Sequence, residues 1–468
     1  MARADTVIRI LPGERFTPYG LARKLDASVI LESSSYHKGR ERYSLLMVRT
    51  AFRLEQQGRE IVLRVEGKRR PVRSGATDIL DVLLYFANQH TLPHQDFPFP
   101  AGGIGFLSYE FAVQCDTVRL ANKVDPLSLP DAAFLFGHVF VVFDHYTDLI
   151  YLIGLNYDEH QIDLHAELTL IEDTITDFNF NYLQPDDRQY PASIITGTDD
   201  QSRFIHGVEQ IRDEIIRGNL LQAVLSRRVV ITSSIPAMEA YRRLRTANPS
   251  PYLFYLNFGE YELFGSSPEV HVKLKDEKVT IKPIAGTRKR GHNRPEDLAL
   301  EEELLADEKE RAEHLMLVDL ARNDIGRVCR PGSIQVTASM VVERYSHVMH
   351  IVSEVEGRLE EGKNGPDLIR ATFPAGTVSG APKIRAMEVI DRIETLPRRF
   401  YAGLVGYMEP GGSLDTCITI RSALKRGDTL VLQAGAGVVY DSQPDREYEE
   451  TQAKLAALAG TIGIEVDV

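Results

Sequence analysis

The strand-like segments of this chain do not alternate regularly with helices, and this feature most limits the possible fold. β-like runs at residues 44–50, 61–65 and 134–143 are interrupted by one amphipathic helical stretch, 76–88. A doubly wound parallel fold needs a helix after nearly every strand. The pattern therefore predicts an α+β fold, with large, mostly antiparallel sheets in a sandwich core flanked by helices.

A polar stretch at residues 184–202 divides the chain into two parts of different character. Strand-like runs dominate residues 1–183, whereas residues 203–463 are richer in helical periodicity. We therefore predict an N-terminal region at 1–183, a linker at 184–202 and a second domain at 203–463. The chain of 468 residues is long enough for this arrangement.

The charge and cysteine content argue against several classes of protein. The formal net charge of -13 disfavours binding to nucleic acid or to an anionic membrane surface. No apolar run reaches the roughly 20 residues that a membrane-spanning helix requires. The three cysteines form no CxxC pair, so the sequence predicts neither a disulfide framework nor a zinc site. A reducing, cytoplasmic setting is expected.

Two Glu-x-x-Glu pairs stand on predicted helices, one at about residues 298–322 and one between residues 442 and 460. Residues three apart share one face of a helix, so each pair presents two carboxylates together. Such pairs are most often solvated surface, but an oxygen-rich cluster also suits a hard cation such as Mg²⁺. The candidates are Glu310, Glu313, Glu447 and Glu450.

Three glycine-containing segments could approach a ligand closely. Residues 279–288 and 430–439 are typical of strands with glycine turns, or equally of β-bulges. The second lacks the third glycine and the helix of a dinucleotide fingerprint, which excludes that function. Residues 373–383 form a loop before a predicted helix at 384–393, whose N-terminus could receive a carboxylate or could simply be capped.

Three single residues are candidates for chemistry. Glu269 follows a proline turn, where a partly buried carboxyl could have a raised pKa and donate a proton. His350 lies in an apolar strand-like run and is either a core histidine or an acid/base group. Arg421 ends a predicted strand and could form a structural salt bridge or clamp a substrate carboxylate.

Taken together, these segments resemble the chorismate-utilising enzymes, which include anthranilate, aminodeoxychorismate, isochorismate and salicylate synthases. The resemblance extends over residues 200–463 and is weaker before them. The matching strings are PIAGTR at 283–288, KERAEHLMLVDLARND at 309–324, FPAGTVSGAPK at 373–383, QAGAG at 433–437 and EYEET at 447–451.

The resemblance implies a role for each candidate. Mg²⁺ would be held by Glu313 and Glu450, with Glu310 and Glu447 nearby, and would bind the ring carboxylate of chorismate. Glu269 would protonate the departing C4 hydroxyl, and His350 would help to remove the C2 proton. Thr377 would act beside these two catalytic groups. The expected substrate-binding residues are Gly286, Thr287, Tyr401, Arg421, Gly435, Gly437, Lys454 and Gln222.

Two positions distinguish the members of the family. Gln222 stands where water-adding members carry a lysine base, and an amide cannot act as a base near neutral pH. Ala285 stands where many aminodeoxychorismate synthases carry a lysine. The resemblance therefore implies direct addition of ammonia at C2 and elimination of pyruvate to give anthranilate, with aminodeoxychorismate formation as the alternative.

The resemblance also implies a partner and a regulatory ligand. None of the cysteines stands in the glycine-rich turn that a glutaminase nucleophile needs, so a separate glutamine amidotransferase subunit and a hetero-oligomer are expected. The region at 1–183 would contact that partner or take part in regulation, and it could interleave with the rest of the chain. Residues similar to those that bind tryptophan in feedback-inhibited members are Ser33, Pro251, Tyr252 and Leu253.

Overall fold

A computed structural model describes most of the chain: residues 5–35, 39–40, 42–72, 75–92, 97–177, 188–195, 200–345 and 348–464. The strands are β1 Thr6–Pro12, β2 Val29–Glu32, β3 Ser34–Ser35, β4 Gly39–Arg40, β5 Tyr43–Gln57, β6 Glu60–Val65, β7 Lys68–Pro71, β8 Ile104–Leu107, β9 Ala132–Asp144, β10 Leu149–Leu155, β11 Ala192–Ile194, β12 Gln222–Ser233, β13 Tyr252–Asn257, β14 Glu262–Ser267, β15 Val270–Lys275, β16 Lys278–Ile281, β17 Ile284–Lys289, β18 Gln335–Arg344, β19 Val348–Arg358, β20 Gly380–Ala381, β21 Leu404–Met408, β22 Leu414–Ile418, β23 Ser422–Arg426 and β24 Thr429–Val438.

Helices cover the remaining regular structure. The α-helices are α1 Pro18–Lys24, α2 Ile79–Ala87, α3 Ala112–Cys115, α4 Leu164–Thr176, α5 Asp200–Ile216, α6 Ala237–Ala247, α7 Arg294–Ala306, α8 Glu308–Gly326, α9 Gly365–Thr372, α10 Lys383–Ile393 and α11 Pro444–Thr461. Short 3₁₀ turns lie at Tyr109–Phe111, Gly376–Val378 and Pro410–Gly412.

The strands confirm the predicted α+β class. Within the described residues, 22 strands form one hydrogen-bonded network, and β3 with β4 forms a separate pair. Neighbouring strands such as β12 and β24, or β5 and β9, run antiparallel. The central strand β9 is buried along its whole length, which explains why its sequence is a continuous apolar run.

Strands from the first part of the chain pair directly with strands from the second part. In β2, Ile30 lies opposite Tyr255 of β13. In β8, Gly105 lies opposite Gly406 of β21. The two parts therefore interleave within one sheet network, and the domain boundaries at 183 and 203 stay a prediction.

The predicted linker at 184–202 lies partly outside the described residues, namely at 184–187 and 196–199. Its described portion contains β11, which pairs with the end of β12 through Ile194 and Ile231. A polar, proline-containing sequence predicted a loop here, but the backbone of these residues adds a short exposed edge strand.

The helix predicted at 298–322 is two helices, α7 and α8, with a break at Asp307. The Asp307 carboxylate accepts hydrogen bonds from the backbone N–H groups of Lys309 and Glu310, and so begins α8. An aspartate can either continue a charged helical face or cap a new helix, and the periodic pattern did not separate these alternatives. Glu310 and Glu313 both lie on α8.

The helices predicted at 384–393 and between residues 442 and 460 are present as α10 and α11, with ends shifted by one or two residues. α11 begins after Gln443 with no side-chain cap, because the Ser442 hydroxyl instead accepts from the N–H of Val439. It passes through Gly460 and ends at Thr461. α10 begins at Lys383 after Pro382, again with no side-chain cap. Glu447 and Glu450 nevertheless lie on α11 as predicted.

Candidate functional site

Glu269 lies between β14 and β15 with only 8% of its surface exposed. Burial raises the pKa of its carboxyl from the usual value to about 7, because the charged form loses its hydration. Two groups oppose that shift and lower the pKa: the Thr377 hydroxyl, which faces the carboxyl, and the positive charge of Arg421. Glu269 is therefore buried, and with a pKa of about 7 it can hold a proton to donate near neutral pH.

Thr377 lies in the 3₁₀ turn that precedes α10. Its Oγ1 is buried and makes no hydrogen bond of standard geometry within the described residues. The hydroxyl nevertheless lies close enough to Glu269 to lower its pKa. A buried hydroxyl without a full partner is costly, so Thr377 retains hydrogen-bonding capacity for a bound molecule.

His350 lies on β19, directly opposite Thr287 of β17. Its Nδ1 is 3.0 Å from the carbonyl oxygen of Gly286 and 3.0 Å from Thr287 Oγ1. A carbonyl can only accept, so we assign the proton to Nδ1, which leaves Nε2 as the basic nitrogen. Burial lowers the pKa of His350 to about 4, so the ring is neutral at physiological pH.

Arg421 follows β22 in the left-handed region of backbone conformation, with φ 49°. Desolvation by burial lowers the pKa of its guanidinium, and the nearby charges of Tyr345 and Glu269 oppose the shift. Within the described residues its side chain has no ion-pair or hydrogen-bond partner, so the structural salt bridge considered from sequence does not form there. A half-buried cation without a partner is suited to an anionic ligand.

The two glycine segments differ in structure. Gly286 forms a β-bulge in β17 with φ 67°, since the register with β19 shifts between Ala285 and Thr287. Gly435 and Gly437 lie within β24, which shows no turn or bulge against β12. For each segment the sequence left a glycine turn and a β-bulge as alternatives. The structure shows a bulge in the first segment, at Gly286, and neither a turn nor a bulge in the second.

Glycine is needed in β24 because other side chains approach the strand closely. A Cβ atom on Gly435 would stand 2.8 Å from the hydroxyl oxygen of Tyr401, and one on Gly437 would stand 2.8 Å from Nε2 of Gln222. The Oε1 atom of Gln222 is buried and has no hydrogen-bond partner within the described part of the chain.

Glu313 on α8 lies within electrostatic reach of Glu447 and Glu450 on α11. Burial raises the pKa of Glu313, and the negative charges of Glu310, Glu447 and Glu450 raise it further. Burial also raises the pKa of Glu447, and Glu450 adds to that shift. The charges on the two helices therefore act on one another, whereas spacing alone predicted only that the members of each pair share one helix face.

Three cations accompany these glutamates. Lys454 donates from Nζ to Glu450 Oε1 at 2.6 Å and to the Gly435 carbonyl at 2.9 Å. Lys309 Nζ lies 3.9 Å from Glu313 Oε1. Arg288 donates to Glu310 Oε1 at 3.2 Å. Lys454 and Arg288 therefore connect the glutamates to strands, whereas Lys309 contacts Glu313 on its own helix.

This donor set fits magnesium, although it does not form a closed cage. Within the residues that the structure describes, no three carboxylate, imidazole or thiolate groups converge closely enough to enclose an ion. Mg²⁺ commonly takes only one or two carboxylates and completes its octahedron with water and substrate oxygens. Two facing, mutually repelling glutamates supply that charge, and a cation between them would relieve the repulsion.

Tyr401 lies within electrostatic reach of both Glu450 and Glu269. It is buried, and the negative charges of Glu450 and Glu269 both act to raise the pKa of its hydroxyl. Gly286 lies close to the other helix, since a Cβ there would stand 3.3 Å from Glu310 Oε2. The structure thus brings the residues predicted as catalytic, substrate-binding and metal-binding into one region.

A separate cavity of about 710 Å³ lies next to the segment that carries Glu269, although Glu269 itself does not line it. Pro268, the residue before Glu269, lines it, as does Glu32. Glu32 is buried and held by Arg245 at 2.6 Å and by the hydroxyl of Tyr241 at 2.8 Å. All four residues predicted to bind tryptophan also line this cavity: Ser33, Pro251, Tyr252 and Leu253.

Sequence reasoning missed three residues that organise the site. Arg398 is 1% exposed and donates to the carbonyls of Val378 and Val224, which fixes the loop that carries Thr377. Tyr345 packs its ring 5.4 Å from the ring of His350. Arg288 was quoted only as the end of PIAGTR, although it is the cation of that string.

Two more observations concern the chain as a whole. Within the described part of the chain, no helix is both long and apolar enough to cross a membrane. The three cysteines, Cys115, Cys329 and Cys417, are all free.

The fold and this arrangement of residues agree with the comparison to known proteins. The sequence profile described as chorismate binding enzyme matches residues 37–460. The chain therefore belongs to the chorismate-binding enzyme family.

Relatives that match nearly the whole chain include proteins named anthranilate synthase component 1. Anthranilate synthase component 1 of Spirochaeta aurantia is 61% identical over 464 residues, which cover 99% of this chain and 96% of that protein. The protein of the same name from Aquifex aeolicus is 39% identical and covers 95% and 91%. A crystal structure of anthranilate synthase component I from Streptococcus pneumoniae superposes with a TM-score of 0.79 at 36% identity, covering 89% of this chain and 92% of that one.

Proposed function

We propose that this enzyme is the chorismate-binding component of an anthranilate synthase, which adds ammonia to chorismate and eliminates pyruvate. The observation that carries the proposal is that Glu269, whose pKa burial raises to about 7, and the neutral imidazole of His350 both lie within electrostatic reach of Arg421. Environments that push two titratable groups apart in pKa define an acid and a base. The names of the relatives support the same reaction.

The first step requires an acid at the C4 hydroxyl of chorismate. Glu269 can donate its proton to that oxygen as the C4–O bond breaks, so that water leaves instead of hydroxide. Arg421 lies close enough to lower the pKa of Glu269, and it would hold the enolpyruvyl carboxylate with the help of Tyr401. The cation thereby orients the substrate and favours release of the proton.

The second step requires a base at C2. In the assigned tautomer, Nδ1 of His350 donates to the carbonyl of Gly286, so Nε2 has a free lone pair to accept the C2 proton. Removal of that proton and departure of pyruvate from C3 make the ring aromatic. Thr287 fixes the imidazole from the neighbouring strand at 3.0 Å.

Gln222 supports ammonia as the nucleophile. Its unpartnered Oε1 can accept a hydrogen bond from ammonia and hold it near C2, and ammonia needs no base to activate it. Glycine at position 437 leaves room for this side chain. The absence of a lysine at position 222 disfavours addition of water.

Glu313 and Glu450 would hold magnesium, with Glu310 and Glu447 beside them. When bound, the metal would supply positive charge to the ring carboxylate and stabilise charge that develops there. The backbone around Gly286 and Gly435 and the ammonium of Lys454 would line the same end of the substrate. Lys454 already donates to the Gly435 carbonyl, which places its charge at that strand.

The ammonia would come from a separate glutamine amidotransferase subunit, in a heteromeric cytoplasmic complex. The three free cysteines stand in none of the sequence contexts that such a nucleophile requires. The N-terminal region at 1–183 would form the regulatory and partner-contacting part. The chain without its partner should still use ammonium salts as the nitrogen source.

One assay tests the reaction: the chain is mixed with chorismate, magnesium chloride and ammonium chloride at mildly alkaline pH, and anthranilate fluorescence is followed. A fluorescent product is expected. Aminodeoxychorismate, detected by adding its lyase, would replace the proposal by the folate-pathway reaction. No turnover with either readout would contradict an aminating function altogether.

The separate cavity would bind tryptophan as a feedback inhibitor. Its aromatic and aliphatic walls suit an indole ring, and the buried carboxylate of Glu32 suits an ammonium group. Isothermal titration is expected to show saturable binding of tryptophan that Tyr252→Ala weakens. Absence of heat at millimolar tryptophan would contradict the regulatory site and leave the reaction unaffected.

A further inference from the structure

Arg288 joins three acidic side chains from two helices to the strand that bears Gly286 and Thr287. Its Nε donates to Glu303 Oε1 at 3.0 Å, its Nη2 to Asp307 Oδ2 at 2.9 Å and its Nη1 to Glu310 Oε1 at 3.2 Å. Nη1 also donates to the backbone carbonyl of Thr287 at 3.1 Å. All three nitrogens of the guanidinium group therefore donate hydrogen bonds.

Asp307 transmits this contact to the start of α8. Its Oδ1 accepts from the N–H groups of Lys309 and Glu310 at 3.0 and 3.1 Å, while its Oδ2 accepts from Arg288. The carboxylate therefore caps the helix with one oxygen and ties it to β17 with the other. These hydrogen bonds of Asp307 fix the start of α8 relative to β17.

Glu310 is held from two sides. Its Oε1 accepts from Arg288, and its Oε2 packs over the bulge, 3.3 Å from the place where a Cβ of residue 286 would stand. Glu313 lies one helical turn further along the same face of α8. Any movement of the Arg288 guanidinium would therefore change the distance between the bulge and both glutamates.

We propose that Arg288 is a positioning residue for the metal. By tying the β17 bulge to α8, it sets the spacing between the expected carboxylate-binding bulge and the glutamates that hold magnesium. This inference rests on the proposed function, since it concerns the same metal.

An ordinary surface ion pair would not have this consequence. Exposed single ion pairs contribute little to the stability of a protein, and they tolerate exchange of arginine for lysine. The Arg288 side chain is only 20% exposed, and it bonds four acceptors that face it from different directions. A lysine ammonium has three donors on one atom and cannot span these acceptors.

The test is direct binding of Mn²⁺, a paramagnetic substitute for Mg²⁺, measured by electron paramagnetic resonance without substrate. In Arg288→Lys we expect affinity for Mn²⁺ to fall by about 10- to 100-fold, as for other residues that orient metal ligands. The matched control is Glu303→Gln, which removes the most exposed partner of Arg288 and leaves Asp307 and Glu310 in place. Its affinity for Mn²⁺ should stay within about twofold of the unmodified chain.

A second variant guards against misfolding. Asp307→Asn keeps an N-capping oxygen, since asparagine caps as well as aspartate, but loses the charge that Arg288 binds. It should also weaken Mn²⁺ binding while the melting temperature and circular dichroism stay close to those of the unmodified chain. Both variants should raise the Mg²⁺ concentration needed for half-maximal activity more than the KM for chorismate.

Three outcomes would overturn the inference. If folded Arg288→Lys and Asp307→Asn bind Mn²⁺ like the unmodified chain, Arg288 does not position the metal, although the metal site itself stands. Equal weakening in Glu303→Gln would show a nonspecific effect of charge. An unmodified chain that binds no Mn²⁺ would remove the proposed metal site and this inference together.

Discussion

The glutamates of α8 and α11 and the single Glu269 show how differently one residue type behaves in two regions of the site. The helix glutamates are half-buried or exposed, and three of them contact a nearby cation. Glu269 is buried between two strands, and within the described residues no cation forms an ion pair with it. Its neighbours only reduce the rise in its pKa. The first group suits the binding of a cation, whereas Glu269 suits the transfer of a proton.

The difference follows from hydration and from the partners that each group has. On the helices, water and lysine or arginine side chains favour the charged form of a carboxylate, and they oppose the burial and mutual repulsion that raise the pKa of Glu313 and Glu447. At Glu269 burial dominates, and the neutral acid is favoured up to about pH 7. The predictions that follow test whether these two kinds of carboxylate do have two kinds of role.

The largest effect should come from the helix glutamates. Glu313→Gln and Glu450→Gln each remove a charged oxygen ligand, and we expect turnover of chorismate to fall below detection at ordinary magnesium concentrations. Anthranilate fluorescence measures turnover, and excess magnesium should restore part of it. The control is Glu449→Gln, an exposed residue next to Glu450 on α11. Full activity in both variants would refute the assignment of metal ligands.

Glu269→Gln should abolish proton donation and leave the metal site intact. We expect kcat to fall by about 10²- to 10⁴-fold, the usual contribution of a general acid. Mn²⁺ binding should not change. Glu409→Gln is a matched control, because burial also raises the pKa of Glu409, which instead accepts from the N–H of Phe99. Loss of Mn²⁺ binding in Glu269→Gln would contradict the separation of roles.

The same substitution should stabilise the protein at alkaline pH. The stability allowed by neutral Glu269 is fully present below pH 4.5 and is lost as the pH rises through about 7. Glutamine carries no charge, so at about pH 8 the variant should gain up to about 3 kcal/mol in free energy of unfolding. At about pH 4 the gain should vanish. Urea unfolding at the two pH values measures it.

Arg421→Lys should weaken substrate binding more than chemistry. A lysine offers one point charge and cannot bind a carboxylate through two parallel hydrogen bonds. We expect the KM for chorismate to rise by about tenfold, with a smaller change in kcat. Arg426→Lys, at the other end of β23, is the control, because Arg426 donates to the carbonyl of Leu127 outside the site. An unchanged KM in Arg421→Lys would remove the carboxylate clamp.

The sequence predicted the positions that depend on local spacing and missed those that depend on distant contacts. Glu310 with Glu313, and Glu447 with Glu450, could be paired from helical period alone. The contacts of Arg288 span 15 to 22 residues of sequence. Such pairing depends on where α7 and α8 pack against β17, and nothing in the local pattern predicts that.

The same distinction between local and distant contacts applies to helix ends and to strand pairing. Asp307 reads as one more charged residue of a helix, and its capping role depends on the turn that packing against β17 imposes. The antiparallel α+β class could be predicted because long apolar strands without regular helices permit few alternatives. The direct pairing of β2 with β13 joins residues more than two hundred positions apart, and a propensity argument has no access to it.

The pH profile should separate the acid from the base. With chorismate limiting and unprotonated ammonia held constant, kcat/KM should fall about tenfold per pH unit above the pKa of Glu269, which is about 7. It should fall on the acid side below the pKa of His350, which is about 4. In Glu269→Gln the alkaline limb should disappear from the residual rate. Its persistence would assign that limb to another group.

Thr377→Val should give the smallest effect and the sharpest test of how Glu269 is controlled. The Thr377 hydroxyl lowers the pKa of Glu269, so its removal should raise that pKa and move the alkaline limb to higher pH, by about one unit or less. The control is Thr372→Val, a buried threonine of the same pocket, whose hydroxyl donates to the carbonyl of Leu368. That variant should leave the limb in place.

A shift to lower pH in Thr377→Val would mean that the hydroxyl stabilises the protonated acid, and the donor would then be the carboxyl itself. Because valine matches threonine in shape, the direction of this shift reports the interaction of the hydroxyl with the carboxyl, and it shows whether burial by itself sets Glu269 apart from the glutamates of α8 and α11.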